Sequence, residues 1–374
     1  MIGLRGNFQL TLNVGEVRDF LQPGDLLDLV VEERMGLFLP LCSVSFVTRE
    51  NRVLNALRDT ATVEVSLGGE QEHLSRIGHF TIVNKTLKRR GQQEYVVRLG
   101  LMYNALDFLN RPRMRNIRGR STDVFRQVLS QYFSAYGEEV DGTADDSMNW
   151  LQYNVSDRRF LWEVWLHSYV VDSVLLPCLG SDGRAELRDF RTLVSRQRGS
   201  NVKWKFSDGD LEGYIPYSSL SLVESRTGFH NLLYDRDTPT LDLLTGTYSV
   251  ESYQYKARMS VYGEEKHFTK LLHPLVPLND NVHRNYARAY LQNVTVLSSL
   301  FTTRYSLVLN NRYMPVRLGD LVYVRESDLT QDQLAEEVVS GYYVVSRVVW
   351  QVVNQTLNMT LELVRDYLNL GGGT

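Results

Sequence analysis

Val316-Arg317-Leu318-Gly319-Asp320-Leu321-Val322-Tyr323-Val324 opens the closing part of the chain, residues 316–368. Gly341-Tyr342-Tyr343-Val344-Val345-Ser346-Arg347-Val348 follows, and Thr356-Leu357-Asn358-Met359-Thr360-Leu361-Glu362-Leu363-Val364-Arg365 completes it. Each segment is rich in β-branched and aromatic residues, and the last two alternate in part as half-buried strands do. Gly319-Asp320 and Gly341 punctuate the strand entries. The stretch predicts three antiparallel strands of a small barrel or sheet.

Working outward, residues 78–101 carry a similar pattern. Gly78-His79-Phe80-Thr81-Ile82-Val83 parallels Gly341-Tyr342-Tyr343-Val344-Val345, and in each case a polar interruption and a second strand follow. One domain built twice explains this; so do two β-hairpins that simply look alike. The first 110 residues as a whole read as short strands, at 8–12, 26–32, 37–47, 61–67, 78–85 and 94–99, with a short helix at 51–59. Close spacing of short strands points to a barrel or sandwich.

Residues 111–120 break the pattern with five arginines: Arg111, Arg113, Arg115, Arg118 and Arg120. They read as a solvated interdomain linker, or else as a strip for an anionic partner. A helix is expected from Ser121 or Thr122 as N-cap, with Val124, Phe125, Val128, Leu129, Tyr132, Phe133 and Tyr136 as its apolar stripe and Gly137 at its end. Ser156 caps a second helix, with Asp157 near its N-terminal dipole and Phe160, Leu161, Val164, Trp165 and Tyr169 on its buried side. Residues 170–178 and 184–190 form a hairpin around Ser181-Asp182-Gly183. From residue 201 the chain is β-rich again, with strands at 213–224, 246–262 and 304–309, a loop at 274–277 and a helix at 282–300. Tyr286, Ala289, Tyr290, Val294 and Leu297 lie on one side of that helix.

Composition restricts function. The 374 residues carry 41 basic and 44 acidic side chains, a net charge of −3. That balance argues against a nucleic-acid-coating protein. Cys42 and Cys178 read as buried free thiols of a protein assembled in a reducing cytoplasm. No signal peptide is visible, and the apolar run 161–179 contains Glu163, His167 and Asp172, so a soluble protein without a membrane anchor is expected.

No catalytic, cofactor-binding or metal residues are assigned. Phosphate-cradling glycine loops, the nucleophile elbow and the His-Glu-x-x-His motif are all absent from the sequence. His267, His273 and His283 lack ligand spacing, and the two cysteines are far apart. Glu138/Glu139, Asp145/Asp146, Glu264/Glu265 and Glu336/Glu337 read as solvated faces, and 328–337 as a surface loop or short helix. Trp150, Trp162, Trp165, Tyr153 and Tyr169 could stack bases or sugars, but core packing suits most of them, with Trp162 left for an interface.

The order of elements resembles the baseplate hub proteins of contractile phage tails, the T4-type hub and the N-terminal hub region of the type VI secretion spike protein. The residues that carry the resemblance are 314–322, from Met314-Pro315 through the Gly319-Asp320 turn, then 341–345 and 357–365. The family shows an Arg-Pro-Gly-Asp turn there, and Leu318 stands in place of its proline. Ser156-Asp157-Arg158-Arg159-Phe160-Leu161 is similar to the family's Ser-Asp-x-x-Phe-Leu helix start, and the Asp182-Gly183 hairpin also fits.

The resemblance implies a mainly β fold with an α+β insertion, built from two related tube-type β-barrels duplicated within the chain. The first barrel would occupy 1–110, the insertion 111–205, and the second barrel 206–374 with a helical insertion at about 263–300. It further implies a structural, non-enzymatic hub: a homotrimer whose six barrel units adapt a sixfold tail tube to a trimeric central spike. Its partners would be the tube protein, the spike and possible baseplate wedge proteins, with DNA passing through the channel without specific binding. Its place would be the virion's tail baseplate, after assembly in the host cytoplasm. The Gly319-Asp320 turn would be architectural. The alternatives are a tail-associated cell-wall hydrolase and a glycan-binding tail protein.

Overall fold

A computed structural model gives the architecture and describes residues 2–4, 8–18, 20–21, 24–58, 61–69, 76–140, 144–198, 202–225, 235–253, 270–326 and 339–365. The expected features at 254–262, 264–265 and 328–337, and His267, lie outside the described residues.

The first part holds β1 (Ile2–Leu4), β2 (Phe8–Val14), β3 (Leu26–Arg34), β4 (Leu41–Thr48), α1 (Asn51–Ala56), β5 (Thr62–Gly69), β6 (Arg76–Arg89) and β7 (Tyr95–Tyr103). The middle part holds α2 (Leu106–Asn110), β8 (Pro112–Gly119), α3 (Ser121–Leu129), β9 (Ala135–Glu139), β10 (Met148–Ser156), α4 (Asp157–His167), β11 (Leu175–Leu179), β12 (Arg184–Asp189) and α5 (Phe190–Arg198). In the last part come β13 (Trp204–Ser207), β14 (Ile215–Pro216), β15 (Ser219–Ser225), β16 (Asp235–Asp242), β17 (Tyr248–Tyr253), β18 (Lys270–Leu272) and β19 (Val276–Leu278). It ends with α6 (Tyr286–Leu300), β20 (Thr303–Asn310), β21 (Leu321–Arg325), β22 (Gly341–Val353) and β23 (Thr356–Arg365).

The fold is mainly β. The three closing strands form as their alternation predicts: β21 pairs with β22 and β22 with β23, all antiparallel. Asn354 and Gln355 close the β22–β23 hairpin, both with positive φ. That is the turn whose twist suits a two-residue hairpin loop. Alternating burial along β4, β7, β20 and β23 turns one face of each strand into the core.

The strands of the first and last parts join in one 14-stranded sheet through the antiparallel pairing of β3 with β22. Among the described residues this ladder stays open, so the two closed barrels expected above are not observed. Physically, β22 is long enough to serve two neighbours on one side. Its first residues pair with β21 and its last with β3, which leaves the ladder continuing outward instead of curling shut.

The pairing order is the same on both sides of that junction. In the first part it runs β3-β4-β7-β6-β5-β2; in the last part, β15-β20-β23-β22-β21-β13. Each path visits its strands in the chain order second, third, sixth, fifth, fourth, first. Both β6 and β22 carry a bulge, at Val83 and at Ser346, and each bulge sits five residues beyond Gly78 or Gly341. The halves differ at one pairing, since β2 meets β5 antiparallel while β13 meets β21 parallel. They differ also in what separates the second strand from the third: a short loop between β3 and β4, but β16 to β19 and α6 between β15 and β20.

Several expectations in the middle part are corrected. The stretch 111–120 is a strand, β8, paired antiparallel with β10, and not a solvated linker. Period-two geometry turns Arg113, Arg115 and Ile117 inward, and both arginines pair with the fully buried Asp157. Helix α3 ends at Leu129 rather than reaching Tyr136. Residues Tyr136 and Gly137 instead pair with Ala185 and Glu186 in the parallel β9–β12 ladder. Ser121 is the first helical residue, and its N–H and hydroxyl both donate to the buried Asp146 carboxylate. Ser156 does cap α4, accepting from the Arg159 N–H at 3.4 Å. Helix α6 begins at Tyr286, and its buried face centres on Leu291, Gln292, Val296 and Leu300, leaving Tyr286 and Tyr290 half-buried. Val276–Leu278 forms a short strand where a loop was expected.

Trp350 on β22 is the largest fully buried side chain. Trp350→Ala should cost about 3–5 kcal/mol of stability, read from the shift of the urea midpoint. A loss below about 1 kcal/mol would contradict its central packing role.

Candidate functional site

Among the described residues, a cluster of buried charge lies where the three parts of the chain meet. Glu33 on β3 is 1% exposed, and Arg76, the first residue of β6, is 5% exposed. They form an ion pair. The same Glu33 oxygen accepts from the N–H and hydroxyl of Ser181, at 2.7 and 2.6 Å, in the β11–β12 turn. The Arg76 guanidinium lies over the Trp350 ring, 4.5 Å from its centroid. One carboxylate thus gathers the first part and the middle part, and its cation rests on the last part. Gly78 lies beside this node because a side chain there would meet the Ser181 carbonyl oxygen at 2.9 Å.

A second node follows on β12. Arg188 donates to Glu186 at 2.6 Å and to Asp320 at 2.9 Å. Glu186 also accepts from Arg317 at 3.0 Å, and Asp320 accepts from the Trp204 indole at 3.2 Å. Burial pushes the Glu186 carboxyl up, but Arg188 and Arg317 outweigh it and hold the group below its ordinary value. Gly319 takes φ +74°, and an added Cβ would lie 3.0 Å from Arg188 Cδ and 3.1 Å from Cys178 Sγ. The Gly319-Asp320 turn therefore threads between the β11–β12 hairpin and the closing strands. At the β3–β22 junction itself, Arg347 donates to Glu32 at 2.8 Å. Burial raises the Glu32 pKa while Arg347 and Arg34 lower it further, leaving it ionised at neutral pH.

The sequence-level candidates scatter over other roles. Cys42 and Cys178 are buried free thiols, and burial pushes Cys178 up to about 12, where it is no nucleophile at neutral pH. Trp150, Trp165 and Tyr169 are buried, as core packing requires. Tyr153 is 74% exposed and pairs across the β8–β10 ribbon with exposed Met114, beside exposed Leu151. Trp162 is half-buried and lines a groove of about 620 Å³ together with Phe38, Phe301, Arg34 and Arg347. Among the paired acids, Asp145 binds Arg284, and Glu138 binds Arg126 at 2.6 Å. Asp146 departs from the solvated reading, being fully buried. No group of three or more potential metal ligands occurs among the described residues.

Sequence reasoning missed Glu33, Arg76 and Ser181, which lie 43 and 148 positions from Glu33 along the chain. The one available signal was a charged residue, Glu33, at a position where the alternation through Leu29 and Val31 turns side chains inward.

Breaking the first node leaves a buried charge without its partner. Glu33→Gln should therefore cost about 3–5 kcal/mol, and combining Glu33→Leu with Arg76→Met should recover part of that loss. Chemical denaturation of the two variants checks this. Equal loss in both would mean that the charge pair is not the cause.

No protein-family model and no curated protein matches the chain. Solved structures do. The tail protein from Neisseria meningitidis MC58 aligns with a TM-score of 0.64 at 10% identity, covering 96% of this chain and 97% of that one. The 43 kDa tail protein of prophage MuSo2 from Shewanella oneidensis aligns at 0.61 and 10% identity, covering 96% and 98%. An E. coli component of the type VI secretion system, described as structurally similar to the T4 bacteriophage tail proteins gp27 and gp5, aligns at 0.52 and 8% identity, covering 97% and 78%. The chain therefore has, over nearly its whole length, the fold of phage tail proteins, shared with a type VI secretion component.

Proposed function

We propose that the protein is a structural baseplate hub that acts without catalysis in a tail assembly. The observation that carries this reading is the shared pairing order of the two six-strand paths, with a bulge at the same distance beyond Gly78 and Gly341. It supports a duplicated unit, one copy in 1–110 and one in 206–374, with the second copy reaching back to the start of β13 at Trp204 and the rest of 111–205 inserted between them. Three copies of such a chain present six similar units around one axis. A ring of that kind joins a sixfold tube on one side to a threefold spike on the other.

The partners of this reading are a second and third copy of the chain, a tail tube protein and a central spike, with baseplate wedge proteins at the rim. The ring would let DNA through without binding its sequence, in keeping with the near-neutral charge. Its place would be the tail baseplate of a virion, after assembly in the host cytoplasm. Large interfaces need exposed apolar surface. The face of β16 and β17 that bears exposed Tyr248 and Val250 supplies some. The hydrolase alternative gains no support from the 620 Å³ groove, whose lining among the described residues includes a single carboxylate, Glu362, bonded to the Ser346 hydroxyl at 2.9 Å.

Sedimentation or native mass measurement of the purified chain should give a mass three times 43.1 kDa at micromolar concentration. A monomer at every accessible concentration would count against the hub. Peptidoglycan release by the wild-type chain would move the reading to the hydrolase, and hits on a glycan array would move it to the binding protein.

A further inference from the structure

Helix α4 ends at His167, and the last carbonyls of any helix lack partners within it. Here α6 supplies them. The buried Asn293 amide shares its two N–H groups among the carbonyls of Trp165, Leu166 and Ser168, which lie 2.9, 3.1 and 2.7 Å from its nitrogen. The buried Gln292 amide donates to Val170 at 2.7 Å and to Ser173. α6 in turn packs on β16 and β17, so this clasp ties the small β16–β19 sheet to the middle part of the chain.

Two histidines complete the clasp. The His167 ring stacks on Tyr286, centroids 3.7 Å apart and planes within 7°, and its Nδ1 lies 3.2 Å from the Tyr286 carbonyl oxygen. His283 Nε2 lies 2.9 Å from the His167 carbonyl oxygen. A neutral imidazole has one N–H, and each ring spends it on a carbonyl. A second proton on His283 would sit on Nδ1, which is buried and has no hydrogen-bond partner. On His167 it would place a cation within the Tyr286 and Tyr290 stack.

The charged groups around the clasp are already engaged. Asp146 accepts from Ser121 and from the Tyr169 N–H. Asp145 accepts from Arg284 and Asn285. From β16 and the segment after β18, Arg236 lies 3.0 Å from His273, adding positive charge on the far side of Tyr290. Glu163, on α4, bears on the Tyr286 hydroxyl.

We propose that the α4–α6 clasp is an acid-operated release, in which protonation of His167 and His283 detaches α6 and the small sheet it carries from the middle part of the chain. Burial lowers the His167 pKa to about 4, outweighing its bond to the Tyr286 carbonyl. Burial also lowers that of His283, against the pull of the His167 carbonyl, Asp146 and Asp145. Both folded values lie below the ordinary value of about 6.5. The stability held by the neutral rings is thus complete above about pH 6.5 and is lost as pH falls below it, for His167 towards about 4.

Hydrogen exchange of the full chain, corrected for intrinsic rates, tests this at pH 7.5 and pH 4.5. Protection of residues 286–300 should fall by about tenfold or more at the lower pH while β22 and β23 keep theirs. The variant carrying His167→Gln and His283→Gln keeps an N–H donor at each position but cannot titrate, so its protection of 286–300 should not change between the two values. Unchanged protection in the wild type, or an equal fall in the double variant, would overturn the proposal. If the double variant does not fold, histidine carbon shifts of the wild type decide. Depressed titrations of both rings accompanied by α6 amide changes support the release; titration near 6.5 without such changes refutes it.

Discussion

Everything else in this molecule hangs on the antiparallel pairing of β3 with β22. Seven register pairs, from Arg347 opposite Arg34 to Val353 opposite Asp28, bring chain ends more than three hundred residues apart into one sheet. Closing so long a loop costs entropy, though that cost grows only slowly with length. What offsets it is burial: Trp350, Val348 and Val352 on β22 and Leu29 and Val31 on β3 are all at or near complete burial. Arg347 on Glu32 fixes the register across the junction. A slip of one residue would turn Trp350 outward and separate that pair.

The buried charges next to this junction are better read as devices of specificity than as sources of stability. A buried pair gains little net energy over well-packed apolar residues, yet it tolerates few alternative arrangements. Glu33 accepts only if the Ser181 turn, Arg76 and β3 all arrive together. Arg188, Glu186, Arg317 and Asp320 impose the same demand on β12 and the Gly319 turn. Together the nodes set how the middle part of the chain sits against the sheet.

The strand pattern was legible because alternation is local. Leu357, Met359, Leu361 and Leu363 announce a half-buried strand without knowledge of its partner. The likeness of 78–101 to 341–363 was legible for the same reason, although the bulges at Val83 and Ser346 were not. Ser156 gave a true cap. The arginines of 111–120 misled, because charge at every second position looks solvated until a buried acceptor is known, and Asp157 lies 42 positions beyond Arg115. Asn293 and Gln292 interrupt the otherwise apolar face of α6, and polar residues so placed are a signal of buried hydrogen bonding. The two clasp histidines lie 116 positions apart, a distance no spacing rule spans.

The proposed role is geometric: two like units in each chain, and three chains in a ring. Electron cryomicroscopy of the assembled ring measures it directly. The account predicts three copies about one axis, with the sheet paths that begin at β3 and at β15 superposing on each other to give six like units around the channel. Any other copy number, or two paths that do not superpose, would contradict it.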